Sequence, residues 1–177
     1  MRTALLFFFL TFSLHAFSQK EDSLLQFAKE QAYAGNYDRS IHKLNNLNSL
    51  ESKLLLVRVY AWSHQYNKSL VLSNQIIQDF PEVVSIYQIA ATTALWGGMW
   101  SACYGYAAKG SLKGGNKTSF KTLQIKALIG QKKWKEAEVI CSTMIRNIEA
   151  SLQQPTSQKD EVKINDRPNT LNMLNTQ

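Results

Sequence analysis

Four aromatic residues set the frame of this chain. Tyr37, Tyr66, Trp100 and Trp134 each follow a short break in an apolar pattern, and they stand 29, 34 and 34 residues apart. Around each of them apolar residues recur at steps of three and four, the spacing of one helix face. A helix-turn-helix unit of this size cannot bury its apolar face alone. A fixed period therefore implies units stacked on one another around a shared core. The expected fold class is all-α: a solenoid of about four helix-turn-helix repeats, with no pocket enclosed by a sheet.

Taken in order, the first repeat covers about 22–47. Ser23 is placed to cap a helix starting at Leu24, Gly35-Asn36 makes the turn, and Ser40, Ile41, Leu44 and Leu47 share a face of the second helix. The second repeat runs over about 54–81, turns at Ser63 to Tyr66, and ends at Asp79-Phe80-Pro81, where proline cannot continue a helix. The third, about 84–113, has a first helix rich in small residues (Ala90, Ala91, Ala94), a Gly97-Gly98 turn, and a second helix weakened by Gly105 and Gly110. It stops at Lys113 to Lys117. In the fourth, about 119–147, Ile125, Leu128 and Ile129 are expected to face inward from the first helix. Trp134, Ala137, Ile140, Cys141 and Met144 do so from the second. Lys132-Lys133 stands where glycine is usual. The array is thus placed at 19–150. Residues 151–177 are read as a capping segment, in which Ile148 to Gln153 extends a last helix, and then, beyond Pro155, a disordered tail or linker, because two prolines, many amides and few large apolar residues cannot form a core.

The N-terminus carries a different signal. Met1 to Ser18, MRTALLFFFLTFSLHAFS, has one arginine, an apolar run from Ala4 to Leu14 and a small-x-small step. That is the pattern of an export leader cleaved near Ser18. The run is shorter than the ~20 residues needed to span a bilayer as a helix. The protein is expected to be exported, periplasmic or outer-membrane associated. Without Arg2 the formal charge of +7 becomes +6. Cys103 and Cys141 could be bridged in such a compartment, but their different helical positions in neighbouring repeats fit two unbridged core residues better.

The steps AYAGNY, VYAWSHQYNKS, ALWGGMW and QKKWKEA resemble the tetratricopeptide consensus. A small residue (Ser40, Ser69, Cys103, Ala137) stands three positions after each aromatic, and Pro81 falls where that consensus closes. The likeness spans roughly 22–147. It implies a tetratricopeptide-like α-solenoid and, with it, a protein-interaction scaffold or adaptor. The VYAW…QY and LWGG steps are also similar to the periplasmic repeat region of YaiO-type outer-membrane proteins. In that family a β-barrel follows the repeats. No stretch here alternates as ~10-residue barrel strands require, so barrel-borne activity falls outside what this likeness implies.

The resemblance also implies that the first helix of each pair lines a concave face. Four residues before each aromatic stand Tyr33, Trp62, Trp96 and Gly130; eight before stand Lys29, Arg58, Thr92 and Lys126. Rows four apart lie on one helix face, giving an aromatic row beside a mostly cationic one. Such a surface stacks on side chains or sugars and pairs with carboxylate or phosphate. Trp62 and Trp96 also suit packing between neighbouring helices, alone or together with a place in the groove, and that reading is preferred.

Between Glu82 and Glu136 there is no acidic residue but eight lysines. That imbalance suits an anionic partner, and it suits a solvated lysine face equally well. Two partner readings follow: a protein partner bound by a scaffold, or anionic polysaccharide or lipid at the cell envelope. Nucleic acid is set aside because of the leader. Catalysis finds no support. His15, His42 and His64 form no metal-binding spacing, there is no nucleophile elbow or phosphate loop, and the expected groove is nearly free of the carboxylates that glycoside cleavage needs. No cofactor or metal is expected.

Overall fold

The computed structural model describes residues 21–153. The leader at 1–18 and the tail after Gln153 lie outside them. The described residues form helices and no strand: α1 over 21–33, α2 Tyr37–Leu44, α3 Leu50–Trp62, α4 Tyr66–Asp79, α5 Val84–Trp96, α6 Trp100–Leu112, α7 Lys117–Gly130 and α8 Trp134–Gln153. None of them is long and apolar enough to cross a membrane. The chain divides into two compact units, one up to Ser142 and one from Thr143. The first holds α1 to α7 and the start of α8. In the second, the rest of α8 carries Ile145, Ile148 and Leu152 exposed at steps of three and four.

In the first unit each helix from α2 to α6 packs on the next, and α5 also touches α3 and α7. This is the stacking of hairpins that the 34-residue period predicts. Because α3 and α5 are covered from several sides, they are apolar almost all round. Leu55, Leu56 and Val59 join a core with Leu25, Ala28 and Leu44. Val57 turns to a second core with Ile76, Ala90, Ala94 and Phe120. Ala90, Ala91 and Ala94 are fully buried, so their small size sets how closely α5 is approached.

The four turns share one geometry. Gly35, His64, Gly98 and Lys132 all have positive φ, at 79°, 61°, 69° and 61°. The N–H of the next residue (Asn36, Gln65, Met99, Lys133) donates to the carbonyl five residues back (Gln31, Tyr60, Ala94, Leu128) at 2.8–2.9 Å. The positive-φ residue itself donates to the carbonyl three back. That is a Schellman close, and it satisfies carbonyls that a helix end leaves without partners. Lys132 therefore takes the place of a glycine without changing the turn. At the end of α6, Gly114 (φ 84°) and the bond from Gly115 N–H to Gly110 O repeat the device.

Several boundaries and orientations differ from the sequence reading. α1 is already helical at Glu21, so Ser23 does not start it. α3 begins at Leu50 rather than Leu54, because Ser49 accepts the Ser52 N–H and caps it. α7 begins at Lys117, capped by Asn116 through the Ser119 N–H at 2.9 Å. In the fourth repeat Leu128 and Ala137 are buried as expected. Ile125, Ile140, Cys141 and Met144 are only partly covered, and Ile129 and Trp134 are exposed. The exposure of Trp134 has a structural reason. Tyr66 and Trp100 each lie against a glycine at the end of the next repeat's first helix. A Cβ on Gly97 would stand 3.2 Å from the Tyr66 ring, and one on Gly130 would stand 2.3 Å from the Trp100 ring. No further hairpin follows Trp134 among the described residues, and its ring is 60% exposed.

Candidate binding groove

The small residue after each aromatic fixes the inside of the hairpins that present the groove. Ser40 Oγ donates to the Ala28 carbonyl and Ser69 Oγ to the Val57 carbonyl, both at 2.8 Å and both fully buried. Ser69 also meets Thr93 Oγ1 at 3.3 Å, which ties α4 to α5 beneath the groove floor. The consensus-like serines are thus hydrogen-bonding ties as well as small fillers, a role that size alone did not reveal. Cys103 holds the same position in the third repeat and directs its Sγ at the Leu123 carbonyl, 3.6 Å away. Both cysteines are free thiols.

On the outer side of α3, Arg58 is exposed while Val57 and Val59 on either side of it are fully buried. One turn on, Trp62 is half-buried against the first core, with its ring 5.9 Å from that of Tyr33 at a 41° tilt. On α5, Thr92 and Trp96 occupy the matching positions, and Trp96 is 51% exposed. Arg58, Trp62, Thr92 and Trp96, joined by Ser85 and Gln88, line one hollow of about 270 Å³ between α3 and α5. Trp62 both packs and lines the groove; Trp96 mainly lines it.

A second, wider hollow of about 400 Å³ adjoins at the turn end, lined by Tyr37, Trp62, His64, Tyr66 and Trp96. His64 Nδ1 lies 2.7 Å from the Tyr66 hydroxyl, and the two rings meet edge to face. The left-handed backbone at His64 turns its ring to that side. Ala61, Trp62 and Trp96 line both hollows, which makes them one continuous aromatic surface.

Four of the seven sequence candidates come together in this way. The other three do not line the first hollow. Lys29 forms an ion pair with Glu51 at 2.7 Å, a link between α1 and α3. Tyr33 is 76% exposed and joins only through its contact with Trp62. Lys126 is exposed on α7, near Cys103. Gly130, in the aromatic row, makes room for Trp100 instead. The expected cationic row is therefore reduced to Arg58. Gln88 was legible but missed: it precedes Thr92 and Trp96 by the same four-residue steps. Tyr37, His64 and Tyr66 reach the surface through turn geometry, which spacing along α3 and α5 does not report.

The electrostatics outside the groove are those of a solvated surface. Lys113 pairs with Glu82, which holds its ammonium above its ordinary pKa. Lys133 meets Glu136 at 3.8 Å. Tyr106 donates to Asn74 Oδ1 at 2.8 Å, while burial raises its pKa. Burial likewise pushes the Cys103 thiol up to about 11, with Lys126 opposing. Among the described residues, no three His, Cys, Asp or Glu side chains come together as metal ligands.

No protein-family model matches the chain, and no curated protein matches its sequence. Among solved structures, that of a MamA point mutant is similar: TM-score 0.55 and 14% identity, over 70% of this chain and 74% of that one. At that identity the likeness speaks to fold alone, and the fold is a tetratricopeptide-like helical-repeat array.

Proposed function

We propose that this array is a scaffold that binds a protein partner, and that a segment of the partner seats in the groove between α3 and α5. The observation that carries the reading is the convergence of Arg58, Trp62, Gln88, Thr92 and Trp96 on one open hollow. Exposed aromatic rings beside a single unpaired guanidinium make a binding surface rather than a reaction centre. Stacked repeats commonly use their extended concave side in this way. On the leader pattern and the VYAW and LWGG steps we place the scaffold in the periplasm or at the outer membrane. Binding of anionic polysaccharide or lipid is the second reading. It is favoured by Lys117, Lys121, Lys126, Lys132 and Lys135, which have no ion pair among the described residues.

A photo-crosslinking residue introduced at Gln88 of the full chain tests the reading in cells. Val71, exposed on α4 and outside the groove lining, is the control position. The expected result is a discrete protein adduct from position 88 and none from position 71. Adducts from both positions, or from neither, contradict the groove assignment.

A further inference from the structure

The aromatic surface has a chemistry of its own beyond being a groove. We propose that the segment it takes is a proline-rich stretch in polyproline II conformation carrying an acidic residue; this rests on the scaffold reading above. The first support is shape. Tyr37, Trp62, Tyr66 and Trp96 line two adjoining hollows that share Ala61 and both indoles. The result is a lane of flat apolar rings rather than one deep pocket. Polyproline II segments dock on such aromatic lanes, and their backbone is already extended before binding, so little conformational entropy is lost.

The second support is hydrogen bonding. Among the lining side chains Arg58, Trp62 and Trp96 can only donate, Gln88 does both, the hydroxyls of Tyr37, Tyr66, Ser85 and Thr92 and the His64 ring can do either, and none can only accept. A proline-rich segment has the reverse balance, with carbonyls at every residue and few N–H groups. An ordinary extended peptide would bring one N–H per residue to a lining with no side chain that can only accept, and a covered N–H without a partner is costly.

The third support is charge. Arg58 is the one charged side chain on the lining, and it has no ion pair among the described residues. On a chain of net +7, the lane complements one carboxylate in an otherwise uncharged segment. A polyanion charged at every unit would meet a single cation here, because Lys29 is held by Glu51.

Fluorescence anisotropy of the full chain with a labelled Glu-hexaproline peptide tests this. The controls are Glu-hexaalanine, Gln-hexaproline and an oligoglucuronate competitor. The expected result is saturable binding of Glu-hexaproline and about tenfold weaker binding of the alanine peptide. The preference for Glu over Gln should vanish in Arg58→Gln, and Trp96→Ala of unchanged helicity should lose about tenfold. Equal binding of the proline and alanine peptides, absence of proline binding, or displacement only by oligoglucuronate overturns the proposal. If it falls while position 88 still crosslinks to a protein, the scaffold reading stands without it. Loss of both removes the scaffold reading as well.

Discussion

Gly105 and Gly110 sit in the same helix and answer to different demands. A Cβ at Gly105 would meet nothing within 4 Å, whereas one at Gly110 would fall 2.4 Å from the Phe120 ring and 2.9 Å from Tyr87 Cβ. Gly105→Ala should therefore raise stability by about 0.5–1 kcal/mol, the helix-propensity difference. Gly110→Ala should lower it by about 1–3 kcal/mol, because fully buried Phe120 has nowhere to move. Thermal unfolding of the two variants gives both signs. Cys103 offers a second contrast. Burial pushes its thiol up from the ordinary 9.0 to about 11. The folded chain keeps that proton where the unfolded chain loses it, so this thiol's contribution to stability is intact below pH 9 and is lost as pH rises from 9 towards 11. At pH 8 in native buffer, alkylation followed by mass spectrometry should label Cys141, which is partly exposed, and spare Cys103 until denaturant is added. Labelling of Cys103 in the folded protein would contradict its placement.

At the level of helices and turns, the shared Schellman close makes the repeats comparable position by position. Lys132→Gly should stabilise the protein by about 0.5–1 kcal/mol, because a non-glycine residue at φ 61° is held in a disfavoured region. His64→Gly should gain less, since it also removes the 2.7 Å contact with Tyr66. Equal gains would mean that this contact contributes nothing. Trp100 and Trp134 test the stacking rule. Trp100→Ala should cost about 2 kcal/mol or more by emptying the space over Gly130. Trp134→Ala, at the same repeat position but exposed, should cost less than about 1 kcal/mol. The sequence revealed the period, the turn positions and the burial of the small residue after each aromatic, because these are local and repeat. It did not reveal the starts of α3 and α7, which depend on caps at Ser49 and Asn116 standing before the apolar pattern. Nor did it show Trp134 turning outward, which follows from what the next repeat would have supplied.

Across the whole molecule, two cores meet at α3 and α4: Val57 faces one, Leu55 and Val59 the other, and Leu72 touches both. The groove is a by-product of that stacking. Packing claims the inner faces of α3 and α5, and Arg58, Trp62, Gln88, Thr92 and Trp96 are left to point outward together. Four of these five were picked out by a spacing of four within α3 and α5, and Gln88 follows the same spacing. The loss of Lys29 from the expected cationic row was not, because its partner Glu51 belongs to the next repeat. The measurement that tests the account most directly is a paired capture from envelope extract, at low and moderate salt, using the full chain and its Trp62→Ala/Trp96→Ala variant as baits, with circular dichroism confirming equal helicity. The account predicts one protein partner that survives moderate salt on the native chain and is lost from the variant. Equal capture by both baits, or capture only of polymer that washes off with salt, would contradict it.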